Sequence, residues 1–373
     1  MFLSNGGTLS DSLVVSNKGA TSGSGAYISG SSIIERCTFI GNETSLLGSG
    51  GGSYSIGGSV RNCRFENNQG GGAFCEYSSQ YQTTGKIENC IFLNNNNDNA
   101  GLGGGVIIRD GIVENCLIVS NSARGGGGIG FFLGGYAKNC TLVGNSASIA
   151  GGGIYIWNAG EVFYNSIIYD NTAPTGDNYY VEGTGSFSYC CTTPDPSYLG
   201  GTNNITDPPL FINASQGNFR LRFESPCRDA GTNTYDMFGT VDLDGNPRIV
   251  NLTVDMGAYE YFDPNDLDLD SMNDLWEIAN FGNTNVANYS TDYDQDGELD
   301  WQEYLAGTQP TNKASRFFAL ISLSNDAPCV FWNPDLGTTR VYTVEGKESI
   351  SNQSWSITNE DSRYYRVKVE KAN

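Results

Sequence analysis

The chain has 373 residues, enough for two or three domains, and sets 20 Lys plus Arg against 41 Asp plus Glu for a formal charge of −21. So acidic a surface repels nucleic acid and anionic lipid, and the absence of histidine excludes Ser–His–Asp and Cys–His catalysis and ordinary zinc sites. No apolar run is long enough for a membrane-spanning segment, and 49 glycines without a triplet period, beside 12% aromatics, indicate a turn-rich β architecture.

The first residues, Met1 to Gly7, have no basic start, apolar core or small-residue cleavage site, so no export signal is read there. A repeat is already in phase at Ser12 and continues through Cys37, Cys63, Cys90, Cys116 and Cys140 to Ser166, in steps of 25, 26, 27, 26, 24 and 26 residues. Periods of this size mean a stacked solenoid, whose open end needs a cap. No cap precedes Ser12, so the expectation is an N-terminally truncated chain that has lost its cap and export signal.

The copies follow Asn-Cys-x-Phe-x-x-Asn, as in Asn62 to Asn68 and Asn89 to Asn95, with Arg36 for the first Asn in one and Ile118 or Leu142 for the Phe in two. Apolar residues two apart argue strand, and a second strand signal follows each glycine cluster, where Gly52, Gly72, Gly105, Gly128 and Gly153 lead into Ser53, Ala73, Val106, Ile129 and Ile154. No 3.6-residue period intervenes. The predicted fold class is all-β, a right-handed parallel β-helix over residues 1–262 in which each repeat is one coil. Cysteines should stack on cysteines as reduced, buried thiols. The recurring Asn should form a ladder at a tight turn, tolerating left-handed backbone and bonding to the next coil.

Phe39-Ile-Gly-Asn42, Phe65-Glu-Asn-Asn68 and Phe92-Leu-Asn-Asn95, with their Gly-Gly clusters, resemble the repeats of chlamydial-type polymorphic outer-membrane proteins. That resemblance, over roughly residues 10–190, implies a surface-exposed β-helix adhesin. Asp207-Pro-Pro-Leu-Phe211, Phe219 to Phe223, Asp229-Ala-Gly231 and Asp255 to Glu260 are similar to the closing segment of secreted bacterial pectin-lyase-like β-helices, which marks 207–262 as that segment.

On the outer side of the glycine-led strands, alternation places Tyr27, Tyr54, Phe74, Ile107, Gly130 and Tyr155 in one row, flanked by Glu76, Arg109 and Trp157. Gly72 to Cys90 spans 18 residues where other coils need 11 to 13, and the inserted loop carries Tyr77 and Tyr81. Aromatic faces stack on sugar rings, so Tyr27, Tyr54, Phe74, Tyr77, Tyr81, Tyr155 and Trp157 are candidate glycan contacts. Burial of the row under long turns is the bland alternative. Glu76 and Arg109 are the only candidate pair for lyase or hydrolase chemistry, and an ordinary cross-coil ion pair explains them more simply.

Residues 263–312 hold twelve acids and no base. Asp292, Asp294, Asp296, Gly297, Asp300 and Glu303 fit positions one, three, five, six, nine and twelve of a calcium loop, with the Glu298 carbonyl at seven. Asp266, Asp268, Asp270, Asp274 and Glu277 repeat the register, with the Met272 carbonyl at seven and Ser271 where glycine is expected. Each loop leads into a short helix stopped by Gly282 or Gly307, and Trp276 and Trp301 are expected between the two helices. The duplicated loop–helix is similar to dockerin and related bacterial calcium modules, which implies Ca2+ as cofactor. Apolar runs in 313–373 predict a small antiparallel β-sandwich-like domain. The functional expectation is a secreted or cell-surface protein that binds a polysaccharide, glycan or surface protein without catalysis. The alternative is a polysaccharide lyase or glycoside hydrolase.

Overall fold

The computed structural model describes the chain except residues 20–21, 46–49, 159, 251–252, 264, 269, 271, 325–326, 334–339, 348–355, 358–363 and 372–373; at 99, 100, 161 and 319–373 only backbone is described. The chain divides into two units, Met1–Tyr261 and Phe262–Asn373.

The first unit is a parallel β-solenoid of three eight-stranded sheets. Sheet A contains Ala26–Ser29, Ser53–Ile56, Ala73–Glu76, Val106–Arg109, Ile129–Leu133 and Ile154–Ile156, starting where the glycine clusters placed them. Sheet C contains the strands that follow the cysteines, such as Thr38–Ile40, Arg64–Glu66 and Ile91–Leu93. Between them runs sheet B, with strands such as Ile33–Glu35, Ser59–Arg61 and Lys86–Glu88, which the sequence did not announce. These strands are mostly three residues long with one inward side chain each (Ile34, Val60, Ile87, Val113), too little for an alternation to register.

Successive coils lie in register, so like residues meet. Phe65 pairs with Phe39 and Phe92, and all three rings stack at 4.8 Å between centroids. The five thiols fall one per layer. The Cys37 N–H donates to Cys63 Sγ and the Cys63 N–H to Cys90 Sγ, both at 3.4 Å, and the Cys140 N–H donates to Ser166 Oγ at 3.2 Å. All described cysteines are buried and free, as the sequence implied. The thiols, however, stand at the bend between sheets B and C and not within a strand.

The asparagine ladder runs unbroken from Asn17 through Asn42, Asn68, Asn95, Asn121, Asn145 and Asn171 to Asn178. Each side-chain amide donates to the next Oδ1 at 2.9–3.1 Å. Left-handed backbone is not its task. That conformation falls on the preceding residue (Asn67 at φ 54°, Asn94 at 52°, Ser120 at 55°) and on Asn62, Asn89, Asn115 and Asn139 before the thiols. One residue turns the chain; the next aims its amide inward. The stacked glycines before sheet A answer a different need, since a Cβ on Gly72 would lie 2.6 Å from the Gly105 carbonyl and 2.8 Å from the Phe92 ring.

The described residues of 207–261 pack along a side of the solenoid. The hairpin Phe211–Asn213/Asn218–Leu221 and the turns after it lie along the outer face of sheet C. There Leu117, Val119 and Val143 pack with Phe219, Ala258 and Tyr259, and Ile167 and Cys191 pack with Leu221, Cys227 and Met256. Apolar residues on both faces of sheet C demand such a cover. Fully buried Arg248 pins the segment, pairing with Glu260 at 3.1 Å and donating to the carbonyls of Asp255 (3.0 Å) and Gly257 (2.7 Å). Around the last coil, Leu199 of the 3-10 turn Pro196–Leu199 packs against the core, and the Tyr179 hydroxyl donates to the Pro194 carbonyl at 3.1 Å.

In the second unit, helices α1 (Asp274–Phe281) and α2 (Asp300–Ala306) end at left-handed Gly282 and Gly307, as expected. Met272, Ala287 and Tyr304 form its small buried cluster. Trp276 packs on Tyr304 at 4.9 Å and Trp301 on Tyr289 at 5.9 Å, and both border that cluster. The tail forms two antiparallel sheets, Phe318–Ser324 with Ala327–Asn333, and Arg340–Lys347 between Ser356–Ile357 and Tyr364–Lys371. Trp355, placed by sequence in the tail, lies outside the described residues.

Candidate functional site

Two places gather functional side chains. In the second unit, the acidic loops fold so that carboxylate oxygens converge. Asp266, Asp268 and Asp274, then Asp268, Asp270 and Glu277, then Asp292, Asp294 and Asp296 each offer oxygens within 4.8 Å of one another, a set able to hold a metal ion. Local geometry produces this convergence. Asp292 accepts the N–H groups of Asp296 at 3.2 Å and Gly297 at 3.0 Å, which curls the loop at left-handed Gly297. Asp274 Oδ1 accepts the Leu267 N–H and Asp300 Oδ1 the Tyr293 N–H, so each helix start is tied back to its loop. Ser271 lies outside the described residues.

What remains is a set of buried oxygens that no protein donor satisfies. Glu277 and Glu303 are fully buried; neither oxygen of Glu277 and only one of Glu303 has a partner, the Thr308 hydroxyl at 3.2 Å. Asp268 Oδ1, Asp270 Oδ2, both oxygens of Asp294 and Asp300 Oδ2 are likewise unpaired. Burying ionised carboxylates beside one another without donors is costly. Burial and neighbouring carboxylates push Glu277 and Glu303 up to about 8 and Asp270 up to about 6. A multivalent cation with a preference for hard oxygen removes that cost. The residues fit such an ion.

The second place is the outer face of sheet A. The expected row exists in register, Phe2–Tyr27–Tyr54–Phe74–Ile107–Gly130–Tyr155–Tyr180. Its orientation differs from the expectation. Tyr27 and Tyr54 stack at 5.4 Å with planes 2° apart, and Tyr54 and Phe74 at 4.3 Å and 6°. These rings spend their faces on one another and turn only edges and hydroxyls outward. Phe74 and Ile107 are buried under the glycine turns, since a Cβ on Gly103 would sit 2.9 Å from Ile107 Cγ1. Ile107 and Gly130 thus part Tyr155 and the exposed Trp157 from the other aromatics. Trp157 tilts against Phe132, and Tyr155 donates its hydroxyl to Glu182.

The inserted loop closes on itself through the Ser78 N–H and Thr83 carbonyl at 2.8 Å, and Tyr81 reaches back to Gly30. Beneath it lies an open groove of about 340 Å³ lined by Phe2, Tyr27, Ser29, Glu76, Tyr77 and Tyr81, among others. Glu76 accepts from the Tyr54 hydroxyl at 3.1 Å and pairs with Arg109 at 3.3 Å. The Arg109 guanidinium lies over Phe74 at 5.8 Å and Phe132 at 5.9 Å. The sequence row set Phe132 between Arg109 and Trp157; a bulge pairs Arg109 with Leu133 instead, yet the Phe132 ring stays beside both. Sequence reasoning missed Thr308 and Arg316, which approach the second loop from beyond the motif.

Comparison of the chain with protein-family models, with curated proteins and with solved structures returned no match. No helix among the described residues is long and apolar enough to cross a membrane.

Proposed function

We propose that this chain is a non-catalytic binding protein, secreted or displayed at a bacterial cell surface, whose second unit takes Ca2+ in the loops 266–277 and 292–303. The observation that carries the reading is the pair of fully buried glutamates, Glu277 and Glu303, at the twelfth position of each loop, with three of their four oxygens lacking a protein donor. Calcium accepts six to eight oxygens in flexible geometry and suits such a loop; an extracellular setting matches affinities of about 10⁻⁴ to 10⁻³ M for modules of that kind. A right-handed sense for the solenoid belongs to the same proposal, since parallel crossovers are right-handed in nearly all cases.

The ligand reading rests on the groove beneath the inserted loop, where hydroxyls of tyrosine and serine line an open, polar cleft that suits the hydroxyls of a neutral glycan segment at a cell surface or in a polysaccharide. The lyase or hydrolase alternative has less support. Its candidate base and acid, Arg109 and Glu76, neutralise each other.

Calorimetric titration with Ca2+ tests the first reading. Binding heat should disappear in Glu277→Gln, Glu303→Gln, and full heat in that variant would refute it. A panel of neutral and uronic polysaccharides tests the second, with binding lost in Tyr81→Ala. Release of unsaturated or reducing ends that is abolished in Arg109→Ala would replace the binder with an enzyme.

A further inference from the structure

The two acidic loops share a register but not an electrostatic surrounding. At position five of the first loop, Asp270 Oδ1 accepts the Met272 N–H at 2.9 Å and Oδ2 has no partner. At position five of the second, Asp296 Oδ1 accepts the Glu298 N–H at 2.8 Å; its Oδ2 also accepts no hydrogen bond, but Arg316 Nε stands 2.9 Å from it as an ion-pair partner. Arg316 also donates from Nη2 to the Asp296 carbonyl at 2.6 Å and from Nε to the Lys313 carbonyl at 3.2 Å. Lys313 Nζ reaches the Gln295 carbonyl at 3.4 Å. These two are the first bases after Arg248, following a stretch of 64 residues without any. Among the described residues, no base stands against Asp270 in this way.

We infer that Arg316 is a tethered counter-ion for the second loop, its guanidinium set by charge against the Asp296 oxygen that a divalent cation needs, so that cation and guanidinium compete there. The inference rests on the calcium reading above, and its ligand pocket is the one marked by Asp300 and Glu303, both fully buried with an unpaired oxygen aimed into the loop. With its Oδ1 committed to the backbone, Asp296 can serve an ion only through Oδ2. A guanidinium at 2.9 Å from that oxygen repels the incoming charge and must leave or swing aside. Because the strand Phe318–Ser324 begins two residues after Arg316, occupancy of the loop is coupled to the start of the tail. Asp270, at the matching position of the first loop, meets no such competitor among the described residues.

The test is Ca2+ titration by calorimetry on the full chain in a Glu277→Gln background, which silences the first loop. Arg316 is half exposed, so Arg316→Gln leaves the fold intact. Its removal should tighten the second loop about two- to tenfold, the range set by losing one exposed ion pair together with a repulsion. Lys313→Gln, which touches only a carbonyl, should change affinity less. Unchanged or weaker affinity in Arg316→Gln overturns the inference and leaves the calcium reading standing. An equal gain from Lys313→Gln also overturns it, by showing general charge at work. Binding that emerges only in Arg316→Gln supports it, and no heat in either variant overturns the inference together with the calcium reading of the second loop.

Discussion

The side-chain amide of Asn68 donates to Oδ1 of Asn95 at 2.9 Å, and that same oxygen accepts the Asn68 backbone N–H at 3.0 Å. Asn95 in turn donates to the Phe65 carbonyl and to Asn121, so every polar atom of a fully buried amide is used. Asn95→Ala strands donors of one coil and an acceptor of the next, and should cost about 3–5 kcal/mol, several times the 1–3 kcal/mol of one orphaned group at its low end. Urea unfolding followed by circular dichroism measures it; a loss below 1 kcal/mol would show that the ladder does not hold the coils together.

The stacked rings predict a second weak point. Phe65 is fully buried between Phe39 and Phe92. Phe65→Ala should destabilise the first unit by about 3–5 kcal/mol, and Phe65→Leu by markedly less, because the cavity left in a one-dimensional stack cannot collapse sideways. Equal losses for the two substitutions would contradict this.

The thiols should be silent in the native protein. Burial pushes Cys75 and Cys190 up to about 12 and raises Cys90, Cys116 and Cys140 well above the ordinary thiol range. The thiolate is the reactive form, so a Cys329→Ser variant should show no titratable thiol with a disulfide reagent at pH 8 until denaturant is added. Rapid native labelling would mean that the coils open.

The acidic loops predict opposite pH responses with and without cation. In the metal-free chain Glu277 and Glu303 are raised from 4.5 to about 8, so the folded state keeps protons that the unfolded state releases. Stability of the second unit should therefore fall as pH rises from about 4.5 through about 8 in the presence of chelator. Calcium takes the ionised carboxylates, so binding should release protons and tighten over the same window. Thermal unfolding at pH 5.5 and 8.5, with chelator and with excess Ca2+, separates the two curves. A chelated protein more stable at pH 8.5 would refute the assignment.

Arg248 should act as a latch for residues 207–262. Arg248→Met leaves Glu260 buried without its cation, and breaking such a pair costs about 3–5 kcal/mol. Proteolysis should then release the segment from sheet C while the coils stay resistant; resistance equal to wild type would show that the apolar contacts alone suffice.

Much of the architecture was legible because a solenoid repeats its physics. Cys37, Cys63, Cys90, Cys116 and Cys140 recur at one coil's spacing since each must fill the same corner, and the glycines recur because Gly72 and Gly105 leave no room for a side chain. The acidic clusters were legible for the same reason: which carboxylates converge in a tight loop is fixed by counting residues. Sheet B was not, because one inward residue per strand carries no period.

By itself the sequence determined the coil, its layers, and the acidic loops with their helices, all of which are local patterns repeated or counted along the chain. Tertiary structure alone decided three things. It turned the faces of Tyr27, Tyr54 and Phe74 toward one another, since in-register strands bring identical rings within stacking distance. It laid residues 207–262 along sheet C, because Leu117 and Val143 are apolar on the side that would otherwise meet water. And it set Arg316 on Asp296, twenty residues apart in the chain, where opposite charges meet only after the loop and helix α2 have folded.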